Sequence, residues 1–97
     1  METLNFTFEA GRPVARRAHV GVVGSGDLEV LLEPAAGATT TVCVRTSVDG
    51  YGAIWRKVLE RFHARHRCAA RIEINDFGAT PGVVALRLEQ AVEASQA

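Results

Sequence analysis

The chain has 97 residues, and its 11 Lys plus Arg balance 11 Asp plus Glu, so its formal net charge at pH 7 is zero. This length predicts a single domain over residues 1–97 with a modest core. Zero net charge argues against a nucleic-acid-binding or membrane-surface protein, because both usually carry positive charge. The hydrophobic content of 47% is typical of a globular chain and excludes a disordered one.

The cellular compartment is predicted from the first residues of the sequence and from its cysteines. Residues 1–6 have neither a basic start nor an apolar run, so no signal peptide is predicted. No apolar stretch approaches the length of a membrane span. The two cysteines, Cys43 and Cys68, are too few for a disulfide framework and are predicted to be reduced thiols. These features predict a cytoplasmic protein.

Alternation of apolar and polar residues predicts the first three strands. Leu4, Phe6 and Phe8 indicate a short first strand, and residues 10–16 form a loop. Two further alternating runs, 20–23 and 28–33, flank Gly24-Ser25-Gly26-Asp27 and predict a β-hairpin. The predicted turn is of type II′, with Gly24 at the position that requires a positive φ.

Ser25 lies at the tip of this predicted hairpin, between two residues without side chains. Gly, Ser and Asp are common in any turn, and most such serines have no chemical role. The alternative is an attachment point, because a large group added by another enzyme needs an exposed hydroxyl and accessible flanking backbone. Turn composition alone does not decide between the two interpretations.

The middle of the chain predicts a strand followed by a helix. Residues 39–48 are rich in β-branched residues and indicate a strand, which Asp49-Gly50 ends. Apolar residues then recur at helical spacing and predict an amphipathic helix that packs on a sheet: Tyr51, Ile54, Trp55, Val58, Leu59 and Phe62. Its opposite face is basic, which usually means a solvated surface and otherwise an acidic partner or phosphate contacts.

The last third of the chain allows two interpretations. Residues 70–75 alternate and predict a strand. Thr80-Pro81 suits the start of a helix, but Pro81-Gly82 also suits a type II turn, and residues 83–89 alternate. We favour a second hairpin there, with helix only over residues 89–95. The predicted fold is α+β, a mostly antiparallel sheet with one long helix and a short C-terminal helix.

The other candidate sites are weak. His63, His66 and Cys68 lack the fourth ligand and the spacing of a zinc site, so no metal is predicted. The carboxylates of Asp27, Glu73 and Asp76 show no partner at a spacing that acid–base catalysis needs. Ser47 has no histidine near it in sequence to act as a base. The chain is therefore predicted to be a carrier or a partner subunit and not an enzyme.

Three stretches taken together resemble a known family. Residues 20–31 (Val-Gly-Val-Val-Gly-Ser-Gly-Asp-Leu-Glu-Val-Leu), 46–49 (Thr-Ser-Val-Asp) and 76–83 (Asp-Phe-Gly-Ala-Thr-Pro-Gly-Val) match in order and spacing the acyl carrier (delta) subunit of bacterial malonate decarboxylase. The first and last stretches are specific, and the likeness covers nearly the whole chain. The acyl carrier (gamma) subunit of citrate lyase is similar more distantly.

The resemblance implies that Ser25, flanked by Gly24 and Gly26, carries 2'-(5''-phosphoribosyl)-3'-dephospho-CoA through a phosphodiester bond. The arm ends in a thiol on which acetyl is exchanged for malonyl. The implied partners are decarboxylase, acyl-transferase and malonyl-transferase subunits, and a dedicated transferase that attaches the prosthetic group. Asp27 and Glu29, beside the tip, are the residues that we expect such partners to recognise.

The sequence departs from the acyl carriers of fatty-acid synthesis, which are acidic helical bundles with their serine at a helix start. This chain is neutral and rich in strands, so a four-helix bundle is not expected. Two other functions stay open at this point. One is a non-catalytic assembly subunit with an unmodified Ser25, and the other is a small nucleic-acid binder, which zero net charge disfavours.

Overall fold

A computed structural model describes residues 1–96 as a five-stranded sheet with two helices packed on one face. The strands are β1 (Glu2–Glu9), β2 (Ala18–Gly21), β3 (Leu28–Pro34), β4 (Thr39–Thr46) and β5 (Ala70–Asp76). The helices are α1 (Gly52–Arg65) and α2 (Pro81–Gln96). The sheet order is β1-β4-β5-β3-β2, and only β4 and β5 pair in parallel. The predicted α+β class is confirmed.

The alternation in the strands decides which face of the sheet is covered. Val30 of β3 lies opposite Ile74 of β5, and Ile74 lies opposite Val44 of β4. All three side chains are buried under the helices, whereas the residues between them lie on the open face. Since β4 and β5 are parallel, the chain needs a crossover between them, and α1 provides it.

The first helix forms as the apolar spacing predicts, but only part of its stripe reaches the core. Trp55 and Leu59 are buried against the sheet. Tyr51 and Ile54 are 48% and 43% exposed. On the basic face, the guanidinium of Arg56 lies 5.1 Å from the centre of the Phe6 ring. No helix within residues 1–96 is long and apolar enough to cross a membrane.

The predicted second hairpin is wrong, because the segment is the helix α2 from its first turn. The Thr80 hydroxyl accepts a hydrogen bond from the Val83 amide at 3.3 Å, and Pro81 occupies the first helical position, where its missing N–H costs nothing. The buried residues follow helical spacing and not alternation: Val84, Leu88, Ala91, Val92 and Ser95. Leu86, which completed the apparent alternation, is 53% exposed. The C-terminal helix therefore has 16 residues and is not short.

The first hairpin is present, but its predicted type II′ turn is wrong. Strand β2 ends at Gly21 and β3 begins at Leu28, so a six-residue loop, 22–27, joins them. Gly24 lies outside the left-handed region, whereas Gly26 has φ +76°. The Asp27 amide donates to the Gly24 carbonyl at 3.1 Å, so Ser25 and Gly26 are the two central residues of the turn. A positive φ at the second of them is what a type II turn requires.

Among the glycines of the chain, Gly21 is the one at which an added side chain would make the closest contact. Its φ is +83°, and a Cβ added there would lie 2.1 Å from the carbonyl oxygen of Leu28. We expect Gly21→Ala to lower the free energy of unfolding by at least about 1–3 kcal/mol, the usual cost of such a backbone conformation for a residue with a side chain. Urea denaturation followed by circular dichroism measures this change.

Gly37→Ala is the matched control. A Cβ at Gly37 would meet no atom closer than 4.0 Å, and its φ is not positive. Equal stability of the two variants would contradict the close approach of Gly21 to β3.

Candidate functional site

The loop that carries Ser25 emerges from one end of the sheet together with two other segments. We call residues 22–27 the serine loop and residues 77–80 the bracing turn. Leu28 at the start of β3 lies opposite Asp76 at the end of β5, and Asp76 lies opposite Thr46 at the end of β4. The serine loop, the bracing turn and the connection 47–51 therefore leave the same end of the sheet.

Two backbone hydrogen bonds join the serine loop to the bracing turn. The Gly26 amide donates to the carbonyl oxygen of Phe77 at 2.7 Å. In return, the Phe77 amide donates to the carbonyl oxygen of Asp27 at 2.9 Å. The two bonds continue the β3–β5 pairing beyond the strands, so the turn that presents Ser25 is fixed to the sheet on one side.

Asp76 holds the bracing turn itself. Its side chain is buried, with 4% of the residue exposed. One carboxylate oxygen accepts the Ala79 amide at 3.0 Å, and the other accepts the Thr46 hydroxyl at 2.8 Å. Its backbone carbonyl also accepts the Ser47 amide at 3.1 Å. Because hydrogen bonds satisfy both oxygens, this carboxylate links three segments and is not offered to a substrate.

An ion pair fixes the other side of the serine loop to α2. The Arg87 guanidinium donates two hydrogen bonds to the Asp27 carboxylate, at 3.1 and 2.8 Å. The Leu28 amide donates a third at 2.7 Å. The bonds from Arg87, and next the one from the Leu28 amide, hold the pKa of Asp27 below its usual value, and the pairing raises the pKa of Arg87. The loop is thus held from both sides.

Ser25 itself is exposed at the tip of this doubly held loop. A Cβ on neighbouring Gly26 would meet no atom within 4 Å, so open space surrounds the backbone there as well. Within residues 1–96 each histidine is engaged with a different group: His19 with Glu29, His63 with the Glu9 carbonyl, and His66 with Glu89. The arrangement leaves the Ser25 hydroxyl exposed, and none of these three histidines is engaged with it.

The two residues expected to meet partners, Asp27 and Glu29, do not form one acidic patch. Asp27 turns towards α2, as described above. Glu29 lies on the open face of the sheet, where its carboxylate accepts the Asn75 amide at 2.8 Å and contacts the His19 ring nitrogen at 3.0 Å. Both carboxylates already have partners within the chain. Their recognition by another protein stays a prediction.

The sequence predicts Ser25 as the candidate site but does not predict the residues that hold its loop. Asp27 and Arg87 are 60 positions apart, and no local pattern links them. In the sequence Asp76 is only a candidate acid–base group, because its contacts with Thr46 and Ala79 depend on the sheet register. One signal was available: an aspartate at a strand end, followed by Gly and by Thr-Pro, is a common start of a turn and then a helix.

The ion pair gives a prediction about acid titration. A lowered pKa means that the pair stabilises the native state above the ordinary aspartate pKa of about 3.9, and that this contribution is lost as the pH falls through the lower folded-state value. We expect Arg87→Met to raise the pKa of Asp27 towards the ordinary value. The carboxyl-carbon chemical shift of Asp27, followed by NMR during a pH titration, gives its pKa in wild type and in the variant.

Arg71→Met is the control for this titration. Arg71 pairs with Glu33 on the open face, so its loss should raise the pKa of Glu33 and leave that of Asp27 unchanged. An Asp27 midpoint that is the same with and without Arg87 would show that the pair does not form in solution.

Comparison with known proteins places the chain in a family. The model of the malonate decarboxylase delta subunit family matches residues 15–95. The malonate decarboxylase acyl carrier protein of Pseudomonas aeruginosa (strain UCBPP-PA14) is 61% identical over 94 residues, covering 96% of this chain and 95% of that protein. The protein of the same name from Azotobacter vinelandii is 56% identical with the same coverage.

A solved structure agrees with the sequence matches. One chain of the crystal structure of a Pseudomonas malonate decarboxylase hetero-tetramer in complex with malonate superposes with a TM-score of 0.93 and is 54% identical. The match covers 98% of this chain and 99% of that one. Fold, length and sequence thus agree along nearly the whole chain, which belongs to the malonate decarboxylase delta subunit family of acyl carrier proteins.

Proposed function

We propose that this chain carries the acyl group of a malonate decarboxylase on a phosphoribosyl-dephospho-CoA arm, joined to Ser25 by a phosphodiester bond. The observation that carries the proposal is the exposed Ser25 hydroxyl at the tip of a loop held on both sides, in a chain of an acyl carrier family. The arm supplies a thiol that holds acetyl or malonyl as a thioester. The chain supplies the attachment point and its position.

The residues around Ser25 fit such an attachment. Gly24 and Gly26 leave the backbone on both sides without side chains, so a modifying enzyme can enclose the turn. In the attachment step the Ser25 oxygen bonds to a phosphorus of an activated triphosphate form of the arm. The bond from that phosphorus to the pyrophosphate leaving group breaks, and the serine proton passes to a base. Because the histidines of this chain are engaged elsewhere, that base belongs to a dedicated transferase.

Neither cysteine of the chain is needed for the thioester. Cys43 lies in the middle of β4 on the open face of the sheet. Cys68 is half-buried beyond the end of α1, and its sulfur accepts a hydrogen bond from the Gln96 side chain at 3.4 Å. Since α1 begins near the serine loop and runs about 21 Å along its 14 residues, Cys68 lies far from Ser25.

The catalytic steps belong to partner subunits. Loss of carbon dioxide from a malonyl thioester leaves negative charge that the thioester carbonyl shares, and this charge needs donors in a closed site. The serine loop is open, so transferase and decarboxylase subunits supply those donors. A flexible tether keeps the acyl group at high local concentration for each of them. The related Pseudomonas chain comes from a hetero-tetramer, which supports a role inside a multi-subunit complex.

Intact mass tests the attachment directly. After co-expression with the dedicated transferase and the enzymes that make its nucleotide substrate, we expect wild type to gain the mass of the arm. Ser25→Ala should gain nothing, and a complex built with it should not release carbon dioxide from malonate. The measurements are electrospray mass spectrometry of the purified chain and a decarboxylation assay of the complex.

Ser47→Ala is the matched control, because Ser47 is also an exposed serine at the same end of the sheet. It should gain the arm as wild type does. A wild-type chain that remains unmodified under these conditions, in a complex that still decarboxylates malonate, would instead identify an assembly subunit with a bare Ser25.

A further inference from the structure

A cleft of about 290 Å³ opens beside the serine loop, and the proposed function leaves it without a role. One wall is formed by the connection 47–51 and the first turns of α1, with Val48, Tyr51 and Ile54. The other is formed by the bracing turn and the start of α2, with Ala79 and Val84. Trp55 also lines it, and the walls are mostly apolar.

The bracing turn is a shared wall between this cleft and the serine loop. Phe77 accepts the hydrogen bond of the Gly26 amide, and the next two residues line the cleft. A Cβ on Gly78 would lie 3.9 Å from the Gly26 nitrogen, the atom bonded to the carbonyl carbon of Ser25. A group attached to Ser25 therefore reaches the cleft by folding back over a single turn.

Three large side chains at the cleft remain exposed for no reason that the fold supplies. Tyr51, directly before α1, and Ile54, in its first turn, are about half exposed, and Val48 is exposed beside them. Apolar side chains gathered around an open cleft gain free energy when an apolar ligand covers them. This geometry favours a ligand that is itself largely apolar.

The buried polar side chains of the cleft, Thr46 and Asp76, have their partners already. Thr46 and Asp76 are bonded to each other, and the second Asp76 oxygen accepts the Ala79 amide. No buried side-chain polar atom within residues 1–96 lacks a hydrogen-bond partner. The buried side chains of the cleft therefore leave no donor free for a charged ligand. A carboxylate that entered between its apolar walls would be desolvated near the Asp76 carboxylate.

We propose that this cleft shelters the acetyl-thioester end of the arm and excludes the malonyl form. The inference rests on the proposed attachment of the arm to Ser25. The volume is at the low end for small-molecule sites, which span roughly 300–1,000 Å³. It therefore suits the end of the arm and not its nucleotide. Acetyl is small and uncharged, whereas the free carboxylate of malonyl keeps that end in water, available to the decarboxylase.

NMR of the isolated full-length chain tests this assignment, with the arm loaded with ¹³C-acetyl or ¹³C-malonyl. Trp55 is the only tryptophan of the sequence, so its indole N–H is an unambiguous reporter. We expect the acetyl methyl group to show nuclear Overhauser contacts to the Trp55 ring and the Val84 methyls. The Ala79 amide should shift as well. The malonyl-loaded chain should show no such contacts and keep the shifts of the unmodified chain.

A pair of variants separates the cleft from its surroundings. Ile54→Glu places a charge on the cleft wall at an exposed position, so it should abolish the acetyl contacts and leave the fold intact. Leu86→Glu is the matched control, because Leu86 is an exposed aliphatic residue of α2 that does not itself line the cleft, and the contacts should persist. If Ile54→Glu does not fold, the comparison of the acetyl-loaded with the malonyl-loaded wild-type chain still shows whether the cleft holds acetyl and excludes malonyl.

Each other outcome overturns a different claim. Intact mass is measured first, and a chain that never gains the arm refutes the carrier function and this inference together. A loaded chain without contacts to Trp55 refutes only the cleft assignment. Equal contacts from acetyl and malonyl refute the exclusion of the carboxylate. Shifts at the cleft that need an added decarboxylase subunit would instead assign the cleft to protein docking.

Discussion

The buried carboxylate of Asp76 is the contact on which the functional end of the molecule depends. It joins the end of β4, through Thr46, to the turn that follows β5, through the Ala79 amide. That turn in turn accepts and donates the backbone bonds that hold the serine loop. Burying a carboxylate costs free energy unless its oxygens accept hydrogen bonds. Both Asp76 oxygens accept them only when the end of β4, the end of β5 and the bracing turn are all in place.

This end of the molecule combines a fixed backbone with an open side chain. Asp27 is bonded to Arg87 on one side, and Gly26 is bonded to Phe77 on the other. Ser25 between them remains exposed. A carrier must be recognised by several enzymes in turn, so a fixed loop spares each of them the entropic cost of ordering it. In the role that we propose, the apolar cleft behind the bracing turn holds the acetyl group between those encounters.

The spacing of apolar residues predicts the type of element correctly where one face of that element is buried and the other is exposed. The helix around Trp55 and the strands β1, β3, β4 and β5 lie where helical spacing and alternation put them. Strand β2 spans Ala18–Gly21 and not the predicted residues 20–23, and Val22 and Val23 are exposed in the serine loop. The interpretation failed at residues 83–89, because Val84, Leu86 and Leu88 satisfy alternation while Val84, Leu88 and Ala91 satisfy helical spacing. Packing decided: Leu86 is exposed, and the Thr80 cap with Pro81 starts the helix. The turn type failed similarly, since Gly24 and Gly26 both allow a positive φ and only Gly26 adopts it.

Local periodicity and residues adjacent in the chain are enough to predict the α+β class and to identify Ser25, between two glycines, as the candidate site. The family resemblance, which rests on short stretches, was also accessible from sequence. Tertiary structure alone decided what holds the serine loop and what lies beside it. The Asp27–Arg87 pair, the Asp76 contacts and the cleft join residues distant in sequence, and sheet register and helix packing bring such residues together in ways that no local pattern encodes.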